Sequence, residues 1–558
     1  MKFAKAIFLL MIAFSLIAGA LPTAAQSRGM NSIKAEDMKF PLEFLGSREF
    51  RGRTTPSPEL NIASKYIAMM ALRMGLKPLM PDGSYYQDVP VEITSISPIK
   101  SHLRLLSGSG EQRFFFPQAF STSIRTLGAG SVSGDLVFVG YGLSAPNLNW
   151  NDYGDADVKG KVLVMLDVQL PEDHVLKPVD NRTLLNDRFR TARDKGAVSV
   201  ISVISREREA ALVGKAVSFD SQQRLRFLDV DTSRPITMPA SPQAAAPADA
   251  AAPFYQVEVR HDTAAAILGI SRNELDRMFE TISRGKPIPR KMMDGISLEI
   301  VIAFDKRQEN TWNVVGYMEG TDPVLKKEYV VIGSHHDHLA PREGRILPGA
   351  DDNASGTVAM FELAQAFQLE RPKRSVIFVW HTAEEKGLVG AYYFVQHSPV
   401  PVEKMSAVLN LDMITRNDPN GIYLIGSNKI SKDLDDSIRI MNDRYIHLKL
   451  DYMYEDPGHP DRFFFRSDQF PYIRYGVPGV WFFCGTTEDY HQEGDVYEKA
   501  DLEKMEKVTR LVYLTAMDIG NKPGLLKLDV NPDITARGKQ NFKINWWKSL
   551  RENAQPRR

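Results

Sequence analysis

Val330-Val331-Ile332-Gly333-Ser334-His335-His336-Asp337-His338 is the stretch that decides the fold. Its opening residues form a β-branched apolar run closed by small residues, the pattern of a strand buried on both faces. Such strands belong to parallel sheets covered by helices. Imidazoles and a carboxylate then stand where the strand stops. The same grammar recurs on either side. Pro348-Gly349-Ala350-Asp351-Asp352-Asn353-Ala354-Ser355-Gly356 opens a helix with apolar residues at Val358, Phe361, Leu363, Ala364 and Phe367. Ser375-Val376-Ile377-Phe378-Val379-Trp380 runs into His381-Thr382-Ala383-Glu384-Glu385-Lys386-Gly387, and Ala407-Val408-Leu409-Asn410-Leu411 ends at Asp412. Val480-Trp481-Phe482-Phe483-Cys484 is followed shortly by Asp489-Tyr490-His491. Strands alternating with helices predict an α/β fold on a mostly parallel, mixed sheet flanked by helices. Ligands of such sheets bind at the carboxyl ends of the strands, so one crevice should collect these acids and histidines.

Taken singly, a histidine is more often a satisfied core or surface residue than a ligand, and Asp352, Asn353 or Ser355 could be a helix cap. Taken together, several buried carboxylates without a matching set of basic partners are costly, and a divalent cation removes that cost. The single cysteine, Cys484, excludes thiolate clusters, zinc ribbons and internal disulfides. Oxygen and imidazole donors point to Zn, then Mn or Co. Five candidate ligands exceed what one open catalytic zinc uses, but suit two ions roughly 3.5–4 Å apart that share a carboxylate. A further acid beside a ligand could then act as general base.

The chain has 558 residues, enough for two or three domains. With 69 Lys+Arg against 69 Asp+Glu it has no electrostatic footprint for nucleic acid. Lys2 and Lys5, an apolar run from Ala6 to about Ala20, and Thr23-Ala24-Ala25 read as a signal peptide over 1–25, with export to the periplasm or medium. The run is short for a permanent membrane span, and no later segment suits one. Residues 61–76 predict an amphipathic helix belonging to the same body as the second half. Short strands at 134–140, 160–166 and 197–201 predict a separate small sheet, and an Ala/Pro-rich loop occupies 238–253. The expected organisation is therefore 26–115 and 299–521 as two parts of one body, 116–298 as an insertion, and 522–558 as a basic tail containing Trp546 and Trp547. The aromatic-rich stretch 452–475 suits either a side-chain pocket or core.

The motifs from about 299 to 520 resemble, as a set, the co-catalytic di-zinc aminopeptidase family, which includes secreted bacterial leucyl aminopeptidases, glutamate carboxypeptidase II and the transferrin receptor. The resemblance implies a zinc exopeptidase-like fold and two divalent metal ions, with His335 and Asp412 on one, Glu385 and His491 on the other, and Asp351 bridging. It implies Glu384 as general base, Asp337 as the carboxylate that fixes the His335 tautomer, and Asp352 as the residue after the bridge, joined to it by a cis peptide. Tyr490 would donate to the tetrahedral oxyanion. Arg466, in Phe465-Arg466-Ser467-Asp468-Gln469-Phe470-Pro471-Tyr472, would contact substrate, although Gln469 stands where the family has His. The middle segment resembles the protease-associated domain through Val139-Gly140-Tyr141-Gly142, Trp150-Asn151-Asp152-Tyr153 and Val158-Lys159-Gly160-Lys161-Val162.

The implied activity is hydrolysis of the N-terminal peptide bond of peptides by a metal-activated water. A carboxypeptidase or dipeptidase uses the same scaffold. A glutaminyl cyclase would need fewer ligands, and a noncatalytic receptor-like protein would have lost residues that are intact here.

Overall fold

The computed structural model describes residues 27–124, 128–176, 181–212, 223–232, 254–342, 344–456, 459–531, 534 and 536–540. The expected signal peptide, the Ala/Pro-rich loop and both tail tryptophans lie outside these residues. Among the described residues no helix is long and apolar enough to cross a membrane.

The strands Ser375–His381, Tyr329–His335, Met405–Leu411 and Gly479–Phe483 lie side by side in that order, all parallel. Every residue in them except Tyr329 is buried, as their unbroken apolar sequence requires. Antiparallel strands extend the sheet on both sides. Phe304–Met318 pairs with Ser375–His381, then come Tyr86–Ile96 and the edge strand Gln223–Phe227. On the other side Gly421–Ile425 pairs antiparallel with Gly479–Phe483, and Lys449–Asp451 pairs parallel with Gly421–Ile425. The result is a mixed α/β sheet with a parallel centre.

Helices cover this sheet because their sequences present broad apolar faces. Gly356–Leu369 is buried at almost every position from Gly356 to Ala364 and again at Ala366 and Phe367. Pro58–Arg73 starts with proline at the first turn and a Ser57 hydroxyl that accepts the Leu60 N–H at 3.0 Å. It buries Leu60, Ala63, Ser64, Ile67, Ala68 and Ala71, a helical repeat. Leu502–Asn521 is capped by Asp501, which accepts the Lys504 N–H at 2.9 Å.

A second sheet of eight strands holds its own core, including Leu136, Phe138, Val162, Val164, Ile201, Val257 and Leu298. The expected boundaries at 115/116 and 298/299 need correction. His102–Ser107 and Gly110–Phe115 already belong to the second sheet, and Lys291–Ile302 runs through it up to Phe304 of the first. Conversely, Gln223–Phe227, from inside the expected insertion, is the edge strand of the first sheet. The tail also differs: Leu526 and Ile534 are buried, and the Leu526 N–H meets the Ser406 hydroxyl at 3.3 Å.

Candidate metal centre

His335 ends its strand with the ring pointing out of the sheet's carboxyl edge. Its Nδ1 lies 3.0 Å from the Asp337 backbone carbonyl, which leaves Nε2 facing Asp412 Oδ1 at 3.2 Å and Asp352 Oδ1 at 3.4 Å. Asp412 follows the adjacent strand and is fixed by the Ser467 hydroxyl, 2.6 Å from Oδ2. Asp352 Oδ2 lies 3.1 Å from His491 Nε2, and that nitrogen is 3.5 Å from Glu385 Oε1. His335, Asp352 and Asp412 form one group of donors; Asp352 and Glu385, with His338, form a second. Asp352 is common to both.

This corrects the expectation for Asp351. Consecutive side chains in the tight loop diverge, and Asp351 points away from the cluster. Its Oδ1 accepts the Thr415 N–H at 2.9 Å and hydroxyl at 2.8 Å, and its Oδ2 accepts the Cys484 thiol at 3.3 Å. The residue between the two donor groups is Asp352, and the cis peptide is Asp352–Asn353, one position later than expected. Asp495 sets this loop by accepting the N–H groups of both Asp351 and Asp352, at 2.8 and 3.0 Å. Gly349, at φ 65°, allows the close approach: a Cβ there would stand 2.2 Å from the Asp352 carbonyl oxygen and 2.6 Å from the His338 ring.

Asp337 also acts differently from expectation. Its carboxylate is 3.8 Å from His335 Nδ1, which the backbone carbonyl holds instead. The carboxylate accepts the Glu384 N–H and the Thr55 hydroxyl, both at 3.0 Å, and so orients the segment carrying Glu384 and Glu385. Glu384 Oε2 reaches to 4.0 Å from His335 Nε2. The Tyr490 ring stacks on His491 at 3.8 Å, and its hydroxyl accepts an Arg466 N–H at 2.9 Å. Arg466 is otherwise exposed at the cleft.

Several residues that matter here were not singled out from sequence. Arg53, fully buried, donates to the backbone carbonyls of His336, Leu45, Pro348 and Gly349, tying the first part of the chain to two site loops. His336 turns away from the cluster, with Nε2 2.8 Å from the Ser64 hydroxyl and Nδ1 2.7 Å from the His381 carbonyl. His338 faces the cluster, with Nδ1 2.8 Å from Glu385 Oε1. A sign of this existed in the sequence: in His335-His336-Asp337-His338 three imidazoles follow one buried strand, and not all can face solvent.

The electrostatics are those of a site short of positive charge. Burial pushes Glu384 well above the ordinary carboxyl range; the His335 imidazole opposes this, and Glu385, Asp468 and Asp412 reinforce it. Burial would raise Asp352 too, but the imidazoles of His338, His491 and His335 outweigh it and hold Asp352 below its usual value. His335 is raised despite burial, chiefly because Asp412 and Glu384 favour its cation. Both ring nitrogens of His338 and Oε1 of Glu385 are buried without hydrogen-bond partners. A donor set of imidazole and carboxylate with such orphaned atoms fits divalent cations, zinc in particular.

The cluster opens into a cleft of about 790 Å³ bordered by Glu384, Glu385, Phe465, Arg466, Tyr490 and His491, with Arg224 and Arg226 of the edge strand on its far wall. Of the aromatic stretch, Phe463, Phe464, Phe470 and Tyr472 are core, whereas Phe465 borders the cleft.

Residues 313–516 match the model of peptidase family M28. This match agrees with the resemblance to co-catalytic zinc aminopeptidases read from the motifs. Leucine aminopeptidase 2 of Arthroderma otae is 26% identical over 300 residues, covering 47% of this chain and 55% of its own. An aminopeptidase of Pseudomonas aeruginosa is 36% identical over 130 residues, 23% of each chain. The chain thus spans about half the length, or less, of these relatives. The solved aminopeptidase from Aneurinibacillus sp. strain AM-1 aligns over 90% of this chain and 97% of its own, at 19% identity and a TM-score of 0.46.

Proposed function

We propose that the chain is an exported metal-dependent aminopeptidase that hydrolyses the N-terminal bond of peptides. The observation that carries this reading is the pair of donor groups sharing Asp352, with Glu384 beside them and a cleft leading in. In this reading His335, Asp352 and Asp412 would hold one divalent cation, and Asp352, Glu385 and His491 would hold another. When bound, such ions polarise a scissile carbonyl and make water acidic enough to attack near neutral pH. Glu384 takes the proton of the attacking water and returns it to the leaving amine. Because the Tyr490 hydroxyl accepts from Arg466, its own hydrogen is available to the developing oxyanion. The second sheet, as a protease-associated domain, plays a structural part.

Arg466 and Arg226 at the cleft favour one rival, a carboxypeptidase that binds a substrate carboxylate. Aminoacyl amides with free and with blocked amines, assayed with and without chelator, separate the two. Chelator-sensitive turnover confined to free-amine substrates is the expected result. Absence of any such cleavage would overturn the proposal.

A further inference from the structure

We propose that His338 is a fourth protein ligand of the second cation. The inference rests on the two-cation reading above and adds to it a ligand that the family resemblance does not supply.

The side chain of His338 is fully buried. Its neighbours in the run have their ring nitrogens occupied: His336 meets Ser64 and the His381 carbonyl, and His335 meets the Asp337 carbonyl and Asp412. His338 has a partner on neither nitrogen, which is costly for a buried imidazole unless something outside the protein atoms receives it. The contact with Glu385 explains what. Nδ1 lies 2.8 Å from Glu385 Oε1, yet neither atom makes a hydrogen bond. Two ligands of one ion meet in this way, edge to edge, with their lone pairs converging on the ion rather than on each other.

The spacings agree. Tetrahedral zinc bonds of about 2.0–2.1 Å place ligand atoms about 3.3 Å apart. His338 Nδ1 is 2.8 Å from Glu385 Oε1 and 3.7 Å from Asp352 Oδ2; His491 Nε2 is 3.5 and 3.1 Å from the same two oxygens. The imidazoles of His338 and His491 approach with ring centroids 5.6 Å apart. Gly349 leaves the room that the His338 ring occupies, since a Cβ there would stand 2.6 Å from it. Two imidazoles and two carboxylates thus surround one position, whereas His335, Asp352 and Asp412 supply three donors to the other.

The test uses the full chain, stripped of metal and titrated with Zn²⁺ by equilibrium dialysis, and with Co²⁺ followed by visible absorption. His338→Ala and His338→Asn should each weaken one of two ions by at least about 100-fold, beyond the roughly 10–100-fold typical of losing a residue that merely supports a ligand. They should also change the Co²⁺ ligand-field bands of that ion and leave the other ion's affinity within a few-fold. Unchanged binding in both variants would overturn the proposal, as would weakened binding with an unchanged Co²⁺ spectrum, which is the behaviour of a residue that only props Glu385. If the unaltered chain binds no cation, or His335→Ala and Asp412→Asn leave binding untouched, it is the two-cation reading itself that fails.

Discussion

Exchanging carboxylate for carboxamide at two adjacent positions should have opposite consequences. Asp352 offers Oδ1 toward His335 at 3.4 Å and Oδ2 toward His491 at 3.1 Å, one oxygen to each donor group. Asp352→Asn keeps a single oxygen, replaces the other with an NH₂ that cannot ligate, and removes the negative charge both groups share. Losing a residue that supports a ligand costs about 10–100-fold in metal affinity. Losing a direct anionic ligand should therefore cost at least about 100-fold, or about 2.8 kcal/mol at about 1.4 kcal/mol per decade. Asp351→Asn retains an oxygen for the two Thr415 donors and loses only the acceptor facing the Cys484 thiol. Its cost should be about 1–2 kcal/mol of folding stability with no loss of metal. Metal per chain after dialysis at fixed free Zn²⁺, alongside urea unfolding of each variant, measures both. If Asp351→Asn sheds metal and Asp352→Asn keeps it, the assignment of this loop is wrong by one residue.

Three further outcomes follow from the same geometry. Glu384→Gln should lower turnover about 100- to 10,000-fold with metal content intact, and metal loss in that variant would count against its role as base. Tyr490→Phe should lower kcat by a factor corresponding to about 2.7–4 kcal/mol while KM changes little; a raised KM at constant kcat would instead mark a binding contact. Glu362 is pushed up to about 7, first by burial and then by Asp37 and Glu506, with the Lys34 N–H opposing. Its neutral form is favoured in the folded chain, so that contribution is complete below the ordinary value of 4.5 and is lost as pH rises through about 7. Glu362→Gln should then match the unaltered protein near pH 4 and exceed it by about 1–3 kcal/mol at pH 8 in denaturant unfolding. A difference that does not vary with pH would refute this.

The four central strands were legible because burial on both faces forces a continuous apolar run, and the residues at their ends stand out against it. Glu385, Asp412, His335 and His491 were legible for the same reason. The choice between Asp351 and Asp352 was not, because adjacent carboxylates in a loop carry no period, and only Thr415 and Asp495, more than sixty residues away, decide which one turns inward. Arg53 and Thr55 could not be assigned from their surroundings, since every partner that gives them a role at the site is brought by folding from residues after 330 or, for Leu45, by the turn before them. The limits of the second sheet were obscured by Gly110–Phe115, whose largely exposed, polar sequence shows no alternation of the kind a half-buried strand has.

The junction of the two sheets has a mechanical consequence. The antiparallel pair Tyr86–Ile96 and Phe304–Met318 continues almost without interruption into His102–Ser107 and Lys291–Ile302, so that one two-stranded ribbon passes through both bodies. Where it crosses, the Ser97 N–H donates to the Ala303 carbonyl at 2.8 Å, and the Ser101 hydroxyl accepts the Ala303 N–H at 3.0 Å. A connection of this kind flexes like a leaf spring, by bending a hydrogen-bonded ladder, and has no freely rotating linker. The cleft wall formed by Gln223–Phe227 is anchored to the first sheet, although its sequence lies between strands of the second, so that wall is positioned by the sheet that carries the donor residues.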